Sequence, residues 1–206
     1  MKTIATLALS PTAAHLAQAS TILQNGGLVA FPTETVYGLG ADASNDHAVA
    51  KIYQAKGRPQ FNPLIVHVAN VQTARRFVQW NALADQLAQA FWPGPLTLVL
   101  PRKKDAVLSD LLSAGLPTIA IRVPKHPVAK ALLTQFGGAV AAPSANPSGQ
   151  ISPTSPAHVR SGLDGRIDAI VDGAVCTVGL ESTIVQLDDG AVLLRPGGVA
   201  GEDIEK

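Results

Sequence analysis

The 206-residue chain has one cysteine, Cys176, so no internal disulfide can form, and this usage suits a reducing, cytoplasmic setting. Aromatic residues make up 4% of it and charged residues 15%, against a usual ~25%. With 16 basic and 15 acidic side chains the net charge is +1, which gives no global field to attract DNA or an anionic membrane. No run reaches the ~20 apolar residues of a membrane span. "MKTIATLAL" followed by "AQA" at 17 to 19 imitates a secretory signal, but its apolar stretch is short and interrupted by threonine, Pro11 and His15. Missing too are a GxxxxGK[ST] phosphate loop, an HExxH helix, a metal-spaced cysteine and histidine cluster and a GxSxG elbow. "GLGADA" at 38 to 43 fits a loose GxGxxG/A pattern, yet it begins well past the preceding strand and lacks an acid ~20 residues on, which argues against a dinucleotide site.

What is present is a chain 47% hydrophobic, read as one domain over residues 1 to 206 and rich in buried strands. Short apolar runs recur: "LVAF" at 28 to 31, "LIVHV" at 64 to 68, "LTLVL" at 96 to 100, "TIAIRV" at 118 to 123, "AVAA" at 139 to 142, "IDAIV" at 167 to 171, "STIVQL" at 182 to 187 and "AVLLR" at 191 to 195. Helix-period stretches lie between most of them, including 45 to 56 with Val49, Ile52 and Tyr53 on one face and 127 to 136 with Val128, Leu132 and Leu133. Ser10 and Pro11 read as the N-cap and first position of another helix, with Leu16, Ala19 and Leu23 on its buried stripe and Gly26 past its end. The alternation predicts an α/β fold, a sheet flanked by helices. Asp188, Asp189 and Gly190 signal a hairpin between the last two strands, so the sheet is expected to be mixed.

The chemistry on offer is cations and hydroxyls at strand ends. In "TIAIRV", alternation puts Ile119, Ile121 and Val123 on one face and Thr118, Ala120 and Arg122 on the other. An arginine in so apolar a strand needs a partner, either an internal carboxylate or a bound anion. His67 shares a face with Ile65 and reads as a structural histidine or a ligand contact. In "AKGRP", Lys56 and Arg58 flank Gly57 at the end of a predicted helix, where dipole stabilisation and a binding role are both open. Lys56, Arg58, Arg122 and Arg195 all lie at turns or strand ends, from which side chains can converge on one cleft. "AAPSANPSGQISP" at 141 to 153 follows a buried strand. Its Ser144, Asn146 and Ser152, with Thr33, Thr35, Ser182 and Thr183, supply neutral donors and acceptors, or serve simply as turn formers. Four cations, many hydroxyls and almost no nearby carboxylate describe a site for a polyanion such as a nucleotide triphosphate.

The blocks "FPTETVYGLG", "KGRPQFNPLIVHV", "FWPGPLTLVL", "TIAIRVP", "APSANPSGQISPT", "ESTIVQL" and "LRPGG" resemble, in this order, the YrdC-like family of threonylcarbamoyl-AMP synthases. The resemblance runs from residue 31 to 198 and includes the paired KxR and SxN motifs. It implies a twisted, mostly parallel sheet with a large concave cavity, in the short form without a further C-terminal domain. The implied cytoplasmic enzyme, a nucleotidyltransferase, joins L-threonine, bicarbonate and ATP with Mg2+ into threonylcarbamoyl-adenylate and pyrophosphate. Separate transfer proteins then carry the product to threonylcarbamoyladenosine in tRNA. The family pattern assigns Lys56, Arg58, Ser144 and Asn146 to the phosphates and the reacting carbamate. It assigns Arg58, Asn62, Thr118, Ser144, Ser152 and Arg195 to the nucleotide, and Thr35, His67, Arg122, the backbone at Ala142, and Ser182 to threonine. No metal ligand is expected from protein side chains, and the stiff segment from Pro147 to Pro153 is the expected lid. The competing expectation is a double-stranded RNA or tRNA binding module of the same fold without chemistry, against which near-zero charge and few aromatics count. A carbamoyl-adenylate former of hydrogenase maturation ranks lower, since no zinc-finger segment accompanies Cys176.

Overall fold

The computed structural model describes residues 5–59, 61–188 and 190–205. Along them the chain runs β1 (Leu7–Leu9), α1 (Ala13–Gln24), β2 (Val29–Phe31), β3 (Gly38–Asp42), α2 (Asp46–Lys56), β4 (Ile65–His67), α3 (Val71–Ala74) and α4 (Ala82–Phe91). It continues through β5 (Leu96–Pro101), β6 (Thr118–Arg122), α5 (Pro127–Phe136), β7 (Val140–Ala141), α6 (Pro156–Leu163), β8 (Ala169–Val171), β9 (Thr183–Leu187), β10 (Ala191–Arg195) and α7 (Gly201–Ile204).

Helix starts follow from side chains that accept backbone N–H groups the helix itself leaves unpaired: Asn45 for α2, Asn81 for α4 and Ser155 for α6. The first helix begins later than Ser10 and Pro11 suggest. Thr12 is its N-cap and accepts from His15, while the amide of Ser10 is taken by His15 Nδ1. Its stripe of Leu16, Ala19 and Leu23 is buried as expected.

All ten strands described form one sheet, ordered β1-β8-β2-β3-β7-β4-β6-β5-β9-β10. Among the described residues four strand pairs are parallel and five antiparallel. The sheet is mixed, as expected, but antiparallel pairs slightly outnumber parallel ones, where the family resemblance implies a mostly parallel sheet. β7 inserts antiparallel between β3 and β4, and β9 returns directly as β10, so neither junction uses the crossover helix that parallel pairing needs. Asp189, in the middle of that hairpin signal, lies outside the described residues. β3 is a strand the sequence reading did not anticipate. A Cβ at Gly40 would stand 2.9 Å from the Phe31 ring and 3.1 Å from Val140, so glycine here lets Phe31 lie across its neighbour.

Two apolar clusters cover the sheet. One joins α2 and α4 to the face carrying Leu39, Val66, Leu98, Ile119 and Ile121. The other joins Leu16, Ala19 and Leu23 of α1 and Val128, Leu132 and Leu133 of α5 to Val29, Phe31, Val140 and Val171 on the opposite face. That second face continues past Val140 to His67, its register partner, and on to Arg122, where among the described residues it lines open space rather than packing under a helix. The uncovered half becomes the floor of a cavity. Among the described residues, no helix is long and apolar enough to cross a membrane.

Candidate active site

The floor is a lattice of cross-strand rows. Ile65, Ala120, Val99 and Gln186 stand in one register row across β4, β6, β5 and β9, and His67 and Arg122 stand side by side in the next. The alternation read from "TIAIRV" and "LIVHV" therefore holds: Thr118, Ala120 and Arg122, like Ile65 and His67, face the cavity, and Ile119 and Ile121 face the core. Turns at 33–38, 58–63, 142–144 and 181–182 wall a space of about 460 Å³.

Arg122 is 3% exposed and anchored on three sides. Its guanidinium donates to Glu34 Oε1 at 2.7 Å, to Thr35 Oγ1 at 3.0 Å and to the Gly94 carbonyl at 3.1 Å. Of the two partners open to it, an internal carboxylate is the one present. Glu34 is itself fixed, since its second oxygen accepts the Lys125 amide at 2.9 Å. His67 packs edge-on against Phe31, and burial together with the Arg122 charge pushes its imidazole down to about 3, which keeps it neutral. Its Nδ1 is buried and has no hydrogen-bond partner among the described residues. Thr33 and Thr35 share a hydroxyl bond of 2.8 Å, and Ser182 Oγ lies 2.8 Å from Thr97 Oγ1. Ala142 also lines this space, with its N–H donated to the Ile65 carbonyl at 2.9 Å.

Arg58, Thr118, Ser144, Glu181 and Arg195 complete the lining, with Arg195 standing across β9 and β5 from Arg122, near enough for the two charges to interact. Arg58 donates to the carbonyls of Asn62 and Pro63, and Arg195 to the Ser182 carbonyl at 2.8 Å and hydroxyl at 3.2 Å. Arg195 reaches Ser182 because the chain after it passes very close to β9. A Cβ at Gly197 would lie 2.3 Å from the Glu181 carbonyl oxygen and 2.5 Å from the Ser182 carbonyl carbon, so only glycine fits.

Four of the expected residues do not line the cavity directly: Lys56, Asn62, Asn146 and Ser152. Lys56 is 3% exposed, and its ammonium donates to the carbonyls of Ser144 and Asn146 at 2.5 Å each. Burial, with Arg58 nearby, lowers its pKa to about 8. In this arrangement the lysine holds the SxN turn rather than projecting into the open space. Asn146 in turn donates to Pro147 and Gln150, while its Oδ1 is buried without a partner among the described residues. Asn62 is exposed, and Ser152 donates to Glu181 at 2.6 Å. The 147–153 segment is tied down at both ends, by Ser148 to Lys56 and by Pro153 to the Tyr37 amide, leaving Ser148 to Ile151 as its exposed part. Thr183, counted among the hydroxyls, bonds Val199 instead of the cavity.

The sequence reading expected almost no carboxylate here, yet two stand at the site. Glu34 and Glu181 are the residues it missed. The available signal was a lone acid inside each otherwise apolar or hydroxylic block, "FPTETVYG" and "GLESTIV".

A family model for Sua5, YciO and YrdC proteins, described as telomere recombination, matches residues 21–197. The chain is 53% identical over 199 residues to the threonylcarbamoyl-AMP synthase of Bacillus subtilis, a match spanning 96% of this chain and 57% of the relative. It is 43% identical to the threonylcarbamoyl-AMP synthase of Halorhodospira halophila, over 84% of this chain and 90% of that one. Among solved structures, Pyrococcus abyssi Sua5 complexed with L-threonine superposes with a TM-score of 0.92 at 44% identity, covering 97% of this chain and 59% of that chain. The chain thus spans little more than half the length of several relatives it matches. On the breadth of the family match and the identity of these relatives, the chain belongs to the Sua5, YciO and YrdC family.

Proposed function

We propose that the cavity makes L-threonylcarbamoyladenylate from L-threonine, bicarbonate and ATP, releasing pyrophosphate. The observation that carries this is a single cavity lined by an anchored arginine, a neutral histidine and paired hydroxyls together with two further arginines and a serine turn. The anchored arginine, the histidine and the hydroxyls suit a small hydroxy amino acid. Arg122 presents a fixed cation to a carboxylate, Thr35 and Ser182 offer hydroxyl partners, and the unpaired Nδ1 of His67 awaits a hydrogen bond. The remaining cations suit phosphates, with Arg58 and Arg195 able to grip them through two N–H groups each.

In the proposed reaction the threonine amine attacks the carbon of bicarbonate, or of CO2 derived from it. A carbamate forms, with water lost in the bicarbonate case. A carbamate oxygen then attacks the α-phosphorus in line, the bond to the bridging oxygen breaks, and pyrophosphate leaves. No covalent bond to the protein is required. The protein's part is positioning and neutralising charge: Arg58 and Arg195 at the phosphates, and the Ser144 turn beside them, held by Lys56. Mg2+ would enter with ATP as part of the substrate and lower the charge of the leaving pyrophosphate. The product is a reactive anhydride, so separate transfer proteins would consume it at tRNA.

Purified protein with ATP and Mg2+ tests this. Pyrophosphate release that needs L-threonine and bicarbonate together, falls sharply with L-serine, and drops by roughly 100-fold in Arg58→Ala is the expected result. No release under any combination would sink the proposal, and salt-dependent tRNA binding without product would favour the RNA-binding alternative.

A further inference from the structure

Among the described residues lining the cavity, Glu181 is the only acid. Its carboxylate is engaged at both oxygens: Ser152 Oγ donates to Oε1 at 2.6 Å, and the Arg195 guanidinium stands 3.7 Å from Oε2. The same charge is near enough to Lys56 and Arg58 to favour the protonated form of each. Ser152 and Arg195 therefore face this carboxylate directly while Lys56 and Arg58 feel its charge, and all four are groups that the family pattern places around the nucleotide and the reacting carbamate. A phosphate would seek the same partners, and two anions cannot occupy one set of donors. The backbone at Glu181 is fixed, because Gly197 lies against it and Gly198 donates to its carbonyl at 2.9 Å, so the side chain alone can yield.

We propose that Glu181 is an internal anion that closes the cation cluster of the ligand-free protein and is displaced by the phosphates of the entering nucleotide. This rests on the reading of Arg58 and Arg195 as a phosphate site. Two consequences follow from its being a competitor. Its carboxylate holds down the affinity for phosphates, and after the reaction it competes with pyrophosphate for the same donors, which favours release. A Mg2+ ligand at this position would act in the opposite sense, adding affinity whenever the metal is present.

Calorimetric titration of inorganic pyrophosphate into the full chain and into Glu181→Gln, with and without Mg2+, separates these cases. The glutamine keeps the shape, removes the charge and exchanges one acceptor oxygen for an NH2 donor. Expected is binding on the order of tenfold tighter in Glu181→Gln under both conditions, with the difference shrinking as salt is raised. In melting experiments the variant should be less stable than the parent when ligand-free and gain more from pyrophosphate. Glu181→Asp, too short to span Ser152 and Arg195 together, should fall between the two. Equal or weaker binding by Glu181→Gln, or weakening only with Mg2+, overturns the inference and leaves the synthase proposal standing. Absence of pyrophosphate binding in both proteins overturns the two together.

Discussion

His67 shows how one residue carries a cost for the whole chain. Its imidazole is buried and neutral, held to about 3, whereas an unfolded histidine titrates near 6.5. Below about 6.5 the unfolded chain therefore binds a proton that the folded chain refuses, and stability falls with pH down to about 3. Between pH 7 and pH 5 the loss from this group is on the order of 2 kcal/mol. Urea unfolding at those two pH values should show it, and His67→Gln should flatten the slope; an unchanged slope would mean that the imidazole is not kept neutral. The residue pair His67 and Arg122 was legible in the sequence because strand alternation alone fixes which face a side chain takes. What each one touches was not. The Arg122 partner, Glu34, arrives from a loop far away in sequence, and only the pairing of β4, β7 and β3 brings it there. Lys56 went the other way, from an expected cavity residue to one that pins the Ser144 turn through carbonyls, contacts that no spacing rule encodes.

At the scale of elements, the hairpin of β9 and β10 and the turn after it build the wall of the cavity that carries Glu181, Ser182 and Arg195. The turn works only because Gly197 lets its backbone press against Glu181 and Ser182. Gly197→Ala would place a methyl group inside backbone atoms that cannot swing aside, and should cost about 2–4 kcal/mol in stability. Nucleotide binding should weaken with it, as Arg195 moves off Ser182; denaturant unfolding and nucleotide titration on one preparation check both. An alanine that leaves stability and binding intact would mean that the two segments are free to separate. Elements with strong local signals were read correctly, among them α5 over Pro127–Phe136 and the β9 and β10 pair. The miss at β3 has a physical cause: a glycine-rich strand has weak intrinsic strand preference, and its place in the sheet comes from the packing of Phe31 and Val140 across it.

Over the whole molecule, one half of a ten-stranded sheet is covered by α1 and α5 on the face whose other half is left bare to hold the cavity. At the end of the sheet beside the cavity, β10 is an edge strand whose Val192 is 55% and Leu193 49% exposed. An exposed apolar edge is a template for pairing with another chain. The apparent mass from light scattering should therefore rise with protein concentration for this chain, and Val192→Lys should suppress that rise; the same concentration dependence in both would show the edge to be inert.

The strand order also sets a timetable for synthesis. Leu9 in β1 pairs with Val171 in β8, and so does the neighbourhood of Val29 in β2 with Ala169. At ~5–20 residues per second, the first strands leave the ribosome roughly 7–30 s before the strand that lies between them exists. The pairing of α1 with α5 is likewise delayed until residue 136 has emerged. β1 thus begins its life unpaired and β2 with only its β3 side filled, and these are the strands of this chain on which a ribosome-bound chaperone has the longest time to act.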